Sequence, residues 1–268
     1  MSAPRKPAAP PAVLCFAASD PTGGAGVQAD LLTIGSLGCH PLSVLTGLTA
    51  QDTRGVAALQ PVEPAWIARQ AEVVLADIPV AAFKLGVLGS AANAAAVAAV
   101  LAAHPRVPVV MDPVLASGRG DALSDEDTLR AMRERLLPGV TVLTPNSVEA
   151  RRLARAAPDA PLERCARELL SLGCAHVLVT GTHEPGDDVV NVLYGKDGSP
   201  RAWRWPRLAG EFHGSGCTLA AALAAHLAKG LDTASAAEAA QAYTWKALDA
   251  GFRAGGGQFL PNRFFARP

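Results

Sequence analysis

The sequence has no excess of charge of either sign. Its 268 residues include 24 lysines and arginines and 24 aspartates and glutamates, so the formal net charge is zero. Nucleic acids and anionic membrane surfaces bind basic surfaces, so neither is expected as the main partner. The chain also has no apolar run near the roughly 20 residues that a membrane span needs.

Closely spaced cysteine pairs are missing as well. The five cysteines are scattered along the chain, at Cys15, Cys39, Cys165, Cys174 and Cys217. Their number is odd and no two form a C-x-x-C pair, which argues against a zinc site or a redox dithiol. A reducing, cytoplasmic compartment fits this usage best.

Composition predicts one domain after a short tail. Residues 1–11 are rich in proline and alanine and predict a disordered segment, while the apolar run that follows is too short for a secretion signal. Half of all residues are hydrophobic, which is enough for one large core. We therefore expect a single domain over residues 12–268.

Short apolar runs alternate with longer helical patterns. The runs that predict strands are 12–18, 42–50, 81–88, 107–114, 140–146 and 175–181. The segments that predict helices are 24–38, 64–77, 91–104, 124–137 and 162–173, with Pro64 opening one, Gly173 closing another, and Ser124 and Asp127 as a capping pair. This alternation is typical of an α/β fold, in which helices cover both faces of a mostly parallel sheet.

Residues 189–208 depart from this pattern. They alternate in the manner of strands around the turn "KDGS" and predict an antiparallel hairpin added late to the sheet. In open α/β sheets, ligands bind beyond the carboxyl ends of the strands. The loops that follow the predicted strands are therefore the places to look for function.

The stretch "HGSGCT" (213–218) precedes an alanine-rich helical pattern in which Leu219, Leu223 and Leu227 recur every four residues. A helix start has unpaired backbone N–H groups and a partial positive charge, and Gly214 and Gly216 let the backbone close around an anion. A cysteine there should have a lowered pKa, so Cys217 is a candidate base. The alternative is an ordinary turn with Cys217 as a small buried filler.

Two more strand ends carry polar side chains. The first predicted strand runs into "ASDPTGGAGVQAD", a second glycine-rich loop that contains Asp20 and Asp30 but matches neither the dinucleotide nor the Walker pattern. The second ends at Gln51, whose amide could pair with a heteroaromatic ring that carries an amino group and a ring nitrogen. A solvated turn glutamine is the alternative for Gln51.

The runs "VVMDPV" and "VLTPNSVEA" end in polar residues too. Asn146 and Glu149 are three apart, so a helix that starts at Pro145 would let both oxygens face the same way. Oxygen ligands that act through water suit Mg²⁺, which accompanies nucleotide phosphates. A helix cap is the alternative for Asn146.

Six motifs together resemble one enzyme family. They are "ASDPTGGAGVQADL", "TAQDTRGV", "KLGVLGS", "VMDPVLASGRGDAL", "LTPNSVEA" and "HGSGCTLAAALAAHLAKG", in this order over roughly residues 13–230. This set closely resembles the hydroxymethylpyrimidine/phosphomethylpyrimidine kinases of thiamine biosynthesis, in the ribokinase-like superfamily. The resemblance implies a three-layer αβα fold with a mostly parallel central sheet, commonly found as a homodimer.

The resemblance also implies an activity. A member would use ATP and Mg²⁺ to phosphorylate the hydroxymethyl group of 4-amino-5-hydroxymethyl-2-methylpyrimidine, and then add a second phosphate to the monophosphate. Carried over by motif position, Cys217 would be the base, and Gly214, Ser215, Gly216 and Cys217 would form the anion hole. Related sugar kinases have aspartate in place of this cysteine.

The remaining roles follow in the same way. The substrate side would comprise Gln51, Asp30, Gly23, Gly24 and Val87. The nucleotide side would comprise Asp112, Asn146, Thr180 and Gly181, and Asn146 and Glu149 would hold Mg²⁺ through water.

Three departures from the family pattern affect these expectations. Thr180 replaces a lysine found in many members, with Arg54 or Arg119 as candidate substitutes, and Val87 replaces a methionine at the substrate ring. The ending "GGGQFLPNRFF" differs from the usual glycine-rich close. The latter two affect the second phosphorylation more than the first.

Two other functions fit the same residues. Some relatives with this cysteine loop phosphorylate pyridoxal, which also presents a hydroxymethyl group on a nitrogen heterocycle. A catalytically silent pyrimidine-binding regulator is the alternative from a different class, although the intact set of Cys217, Asn146 and Glu149 argues against it.

Overall fold

The computed structural model describes residues 8–116, 120–121, 123–196 and 198–266. The strands in these ranges are β1 (Ala12–Ser19), β2 (His40–Gln51), β3 (Val56–Pro61), β4 (Val80–Leu85), β5 (Val109–Met111), β6 (Val142–Leu143), β7 (His176–Val179), β8 (Asp188–Gly195) and β9 (Arg201–Pro206). The α-helices are α1 (Gly26–Ser36), α2 (Pro64–Asp77), α3 (Ala91–Ala102), α4 (Glu126–Ala131), α5 (Ser147–Leu153), α6 (Leu162–Ser171), α7 (Ser215–Ala228) and α8 (Thr233–Asp249).

All nine strands belong to one sheet, in the order β3-β2-β1-β4-β5-β6-β7-β8-β9. The pairs from β2 through β1 and β4 to β7 are parallel. The strands β3, β8 and β9 pair antiparallel at the two edges. This arrangement confirms the α/β fold with a mostly parallel sheet and a late hairpin.

Helices cover both faces of the sheet, so the side chains of β1 are buried on either side. Leu14 and Phe16 point into one core cluster, which helices α2 to α6 help to form. Val13 and Cys15 point into a second cluster, which is built largely from the alanines of α7 and α8. A strand buried on both faces loses the polar alternation of a surface strand, as β1 does.

The predicted helices and strands match the structure with several differences. Helix α2 has the predicted bounds, whereas β5 and β6 are much shorter than the runs that predicted them. Strand β3 and helix α8 lacked a prediction. β3 is a short edge strand that exists through its pairing with β2, which its own sequence cannot reveal.

The predicted cap of the 124–137 helix was wrong. Asp125 is the N-cap and accepts the backbone N–H of Thr128, while the Ser124 hydroxyl donates to the carbonyl of Val114. The helix also gives way after Ala131 to a π-helical turn, Met132–Leu136, and then a 3₁₀ turn that contains Pro138. Within the described ranges, no helix combines the length and apolarity needed to cross a membrane.

Candidate active site

A pocket of about 590 Å³ lies at the carboxyl ends of the parallel strands. Several of its lining residues lie at or just after the end of a strand: Ser19 ends β1, Gln51 ends β2, Val87 follows β4, Asp112 follows β5, Asn146 follows β6 and Thr180 follows β7. The start of α7 forms a further wall through Gly214, Ser215, Gly216 and Cys217. This is the position that the parallel-sheet prediction indicated.

The start of α7 leaves its first N–H groups unpaired. Gly214 is the N-cap, with φ +80°, and no side chain caps the helix. Among the described residues, no acceptor takes the N–H groups of Ser215, Gly216 and Cys217. A Cβ on Gly214 would lie 1.9 Å from the Gly24 carbonyl oxygen, so only glycine fits both this conformation and this contact. Unpaired N–H groups at the start of a helix are the kind of site that binds an anion in proteins.

The 20–26 loop, by contrast, is filled by the carboxylate of Asp20. Asp20 is fully buried and accepts the backbone N–H groups of Thr22 and Ala25, the Thr22 hydroxyl and, at 3.0 Å, a hydrogen bond with His213 Nε2. Burial alone would raise the pKa of Asp20. The bonds from His213, Ala25 and Thr22 outweigh burial and hold the pKa below its usual value.

Cys217 is buried between the two loops, at 9% exposure. Its charged neighbours are Lys84, Asp112 and Asp30, and the backbone of Gly26 lies close to its sulfur. The predicted lowering of its pKa was wrong: burial raises the pKa of Cys217 to about 12, and Asp112 and Asp30 add to that effect. Lys84 and Gly26 lower the pKa but do not offset the loss of solvent, so the thiol is protonated at neutral pH.

Asp30 does not line the pocket. It is fully buried and paired with the equally buried Lys84 of β4, with 2.8 Å between Oδ1 and Nζ. Burial alone would lower the pKa of Lys84, but Asp30 outweighs burial and keeps the ammonium charged. The structure therefore does not give Asp30 the substrate contact that was expected of it. Asp30 instead forms a buried charge pair with Lys84, beneath Cys217 and Asp112. In the sequence, Lys84 within an apolar run was the signal that a buried carboxylate would pair with it.

Asn146 and Glu149 form a capping box at the start of α5. The Glu149 N–H donates to Asn146 Oδ1 and the Asn146 N–H donates to Glu149 Oε2, both at 2.9 Å. The cap is therefore present, and both residues line the pocket as well. Burial, followed by the Asp112 carboxylate, raises the pKa of Glu149 to about 8. Burial likewise raises the pKa of Asp112 to about 6.

Gln51 and Val87 lie on the pocket wall near the end of β2. The Gln51 amide donates to the Thr49 hydroxyl at 2.8 Å, which leaves its second N–H and its oxygen for a ligand. Gly23 and Gly24 are not on this wall, because the neighbouring Ala25 and Gly26 form it instead. The carbonyls of Gly23 and Gly24 turn away and accept the guanidinium of Arg263.

Thr180 lines the pocket and forms an isolated parallel β-bridge with Asn146. Gly181 does not line the pocket. Gly181 packs against β8, where a Cβ would lie 2.4 Å from the Val190 oxygen. Its N–H donates to Asn191, and the Asn191 amide in turn donates to Gln241 of α8. Gly181 therefore fixes the β7 end against β8.

The structure also indicates which cations lie near the position of Thr180. Arg207, which sequence analysis did not identify, lines the pocket and donates to the carbonyls of Thr182, Glu184 and Gly186. Arg54 lies instead against Gly256, outside the pocket. Arg119 is outside the described residues.

Comparison with known proteins agrees with these motifs. The sequence model of the phosphomethylpyrimidine kinase family matches residues 20–262. The hydroxymethylpyrimidine/phosphomethylpyrimidine kinase of Streptomyces coelicolor is 44% identical over 261 residues, with 96% of each chain covered. The structure of phosphomethylpyrimidine kinase from Clostridium difficile 630 superposes with a TM-score of 0.78 at 31% identity, covering 89% of this chain and 99% of that one. The pyridoxal kinase of Staphylococcus aureus in complex with AMP-PCP and pyridoxal has a TM-score of 0.86 at 27% identity, covering 97% and 96%.

Proposed function

Because the chain belongs to the phosphomethylpyrimidine kinase family, we propose that it transfers phosphate from ATP to hydroxymethylpyrimidine and to its monophosphate, in thiamine biosynthesis. The observation that carries this proposal is the single pocket that brings the unpaired N–H groups of α7, the Cys217 thiol and the Gln51 amide to the same strand ends. A heteroaromatic alcohol and a phosphate donor fit those groups together.

The acceptor occupies the side of the pocket near β1 and β2. The free N–H and oxygen of Gln51 pair with the amino group and ring nitrogen of the pyrimidine, and Val87 and Val114 contact the ring. This places the hydroxymethyl group toward Cys217. The same shape accepts pyridoxal, so the two acceptors are compared in the experiment below.

ATP occupies the side between β8, β9 and α8. Trp205, Thr244 and Trp245 line that part of the pocket and offer aromatic surface to an adenine, while Arg207 offers a cation to the phosphates. The phosphoryl group then lies over the start of α7. There the N–H groups from Ser215 to Cys217 and the helix dipole stabilise the charge that develops during transfer.

The residues present fit Mg²⁺ as a nucleotide-bound ion. Asp112 and Glu149 are buried carboxylates on the same wall, and burial raises both pKa values. Asp30 adds to this effect at Asp112, and Asp112 adds to it at Glu149, as expected of a site that takes up a cation. The described residues contain no cluster of three or more His, Cys, Asp or Glu side chains that could hold a metal alone. Water and phosphate oxygens would complete the shell, with Asp112, Asn146 and Glu149 orienting it, and the ion would neutralise phosphate charge.

Cys217 acts on the acceptor hydroxyl. The thiolate form of Cys217, a small fraction at neutral pH, takes the proton that the hydroxyl loses as its oxygen bonds to the γ-phosphorus and ADP leaves. Lys84 and Gly26 favour this thiolate. Phosphoryl transfer leaves little covalent chemistry to the protein and depends mainly on positioning and charge stabilisation. A thiol with a raised pKa can therefore serve, at a cost in rate at neutral pH.

The test compares kcat/KM for hydroxymethylpyrimidine, its monophosphate and pyridoxal, with ATP and a titration of Mg²⁺. We expect the pyrimidine alcohol to be the best acceptor, the monophosphate to be used as well, and Mg²⁺ to be required. ATP consumption without a phosphorylated pyrimidine would contradict the proposal. A higher kcat/KM for pyridoxal would replace it with the pyridoxal kinase alternative.

We also propose a homodimer in the cytoplasm. Leu48 and Ala50 of β2 and Ala58 of β3 are exposed, and Ala50 pairs with Ala58, so the β2–β3 edge presents an apolar face. Trp66, at the start of α2, is also 64% exposed. Apolar surface of this kind supports association between copies of the chain. The molar mass in solution tests it.

A further inference from the structure

Arg263, in the segment after α8, is a buried cation that contacts both glycine-rich loops. The residue is 4% exposed. Its guanidinium donates to the carbonyls of Gly23 and Gly24, and its Nε donates to the Thr218 hydroxyl at 3.2 Å. Arginine presents its donors in a rigid planar fork, so these three bonds fix the two loops relative to each other.

Two of these three bonds go to groups that contact Gly214. The Thr218 hydroxyl and the Thr218 N–H both donate to the Gly214 carbonyl, at 2.8 and 2.9 Å. On the other side, the Gly24 carbonyl is the group that a Cβ on Gly214 would strike. Arg263 therefore holds the cap of α7 through Thr218 and the surface that this cap packs against through Gly24.

The charge of Arg263 is not neutralised by direct contact. Among the described residues, its guanidinium bonds only to carbonyls and a hydroxyl, and no carboxylate lies within ion-pair distance. Asp30 and Asp20 act on this cation only through space, so its positive charge still favours an anion bound nearby.

The backbone of Arg263 is anchored as firmly as its side chain. Tyr243 of α8 donates its hydroxyl to the Arg263 carbonyl at 2.7 Å, and the Asn262 N–H donates to the Ala247 carbonyl. The Tyr243 ring also contacts Phe265. Helix α8 therefore fixes the position of Arg263, so that its side chain can hold the two loops at a constant distance.

We propose that Arg263 is a positioning residue for phosphate, which sets the spacing between the 20–26 loop and the start of α7 and adds positive charge behind the unpaired N–H groups of that helix. This inference rests on the proposed function, since these N–H groups are taken to hold the phosphates of ATP. The residue acts through Gly24 and Thr218 and makes no contact with the reacting atoms.

The test uses Arg263→Ala and Arg263→Lys in the full-length protein, with Arg253→Ala as the matched control. Arg253 is an exposed arginine of the same segment that stacks on Phe259 and lies outside the large pocket. Thermal unfolding, AMP-PCP affinity by calorimetry, and kcat and KM for the pyrimidine are measured for each. Guanidinium chloride at low millimolar concentration is then added to Arg263→Ala, with equal sodium chloride as the reference.

We expect Arg263→Ala to lower kcat by about 10- to 100-fold, as misplaced reacting groups do, and to weaken AMP-PCP by about tenfold. KM for the pyrimidine should change less than either of these, because Gln51 and Val87, which hold its ring, make no contact with Arg263. Guanidinium should restore much of both losses, Arg263→Lys should be intermediate, and Arg253→Ala should match the wild type.

Several results would overturn the inference. They are wild-type kcat and AMP-PCP affinity in folded Arg263→Ala, losses that sodium chloride restores equally well, or unfolding of both Arg263 variants, which would make the residue purely structural. An inactive wild type would contradict the proposed function instead, and AMP-PCP affinity would still decide the role of Arg263.

Discussion

The two loops at the pocket are both glycine-rich and both precede a helix, but their backbone N–H groups differ in whether the chain itself pairs them. In the 20–26 loop, the chain itself satisfies the N–H groups: those of Thr22 and Ala25 bond to Asp20, and that of Gly24 bonds to Thr22. In the 213–217 loop, the N–H groups at the start of α7 have no acceptor among the described residues. The first loop therefore carries its own anion, and the second is available to a bound one.

This difference teaches that glycine content alone does not identify a phosphate site. Both loops precede a helix, and they contain three glycines and two glycines respectively. What separates them is a buried carboxylate in one and its absence in the other. His213 joins them, since it belongs to the second loop and bonds to the Asp20 of the first.

The largest effect is expected at Cys217, which lies where the two loops meet. Cys217→Ala should lower kcat by about 10² to 10⁴, since it removes the proton acceptor but leaves the charge stabilisation in place. The raised pKa of Cys217 adds a pH test. A base must be deprotonated to act, so wild-type kcat should rise between about pH 7 and 9, and Cys217→Ala should lose that rise. Near-normal turnover in the variant would remove Cys217 from the chemistry.

Gly214 tests the available loop directly. Gly214→Ala would place a Cβ 1.9 Å from the Gly24 oxygen and should lower kcat/KM by about 10² to 10³, the range for losing an oxyanion donor. Gly230→Ala is the matched control, because Gly230 also has a positive φ, +86°, with no atom within 4 Å of the new Cβ. If both variants keep full activity in the same kinetic assay, the phosphates lie elsewhere.

Gln51 lies outside both loops and should affect acceptor binding. Gln51→Leu would leave polar groups of the pyrimidine unpaired, at about 1 to 3 kcal/mol, and so raise its KM by roughly 5- to 150-fold. The bond is shared by ground and transition states, so kcat and the KM for ATP should change less. Gln60→Ala, which removes an exposed amide of β3 without adding a large apolar side chain, is the control. Weaker ATP binding instead would place Gln51 on the nucleotide side.

A substitution of Asp20 in the 20–26 loop should mainly change the free energy of unfolding. Asp20→Asn should lower the free energy of unfolding at pH 7 by about 1 to 3 kcal/mol, the range for hydrogen bonds to a charged group. The folded pKa of Asp20 is depressed, so its contribution is present above the unfolded pKa and is lost as pH falls through the folded pKa. Urea unfolding from pH 7 to 3 should therefore show the gap to wild type narrowing toward low pH.

The exposed Asp127 of α4 supplies the reference for that measurement. Asp127→Asn removes a surface ion pair with Arg130 and should cost less than about 1 kcal/mol. Equal losses in the two variants would mean that the Asp20 network contributes no more than a surface pair.

Much of the fold could be predicted from local pattern. The apolar runs of β1 and β2, the bounds of α2 and the start of α7 all follow from hydrophobic period and end residues, which neighbouring positions along the chain determine. The candidate site followed from the same pattern, because parallel strands bring their carboxyl ends together. The strand pattern alone predicted that Gln51 and Asn146 lie at this edge, whereas Asp112 and Thr180 were expected there from the family resemblance; all four line the pocket.

The sequence by itself determined the layers, the edge at which function sits and most residues that face it. Only the tertiary structure decided that Asp30 pairs with Lys84 beneath the pocket, that burial raises the pKa of Cys217, and that Arg263 spans the two loops. The physical reason is the distance along the chain over which each effect acts. Hydrophobic period acts between residues a few positions apart, whereas burial and charge depend on which distant segments exclude water from the same point.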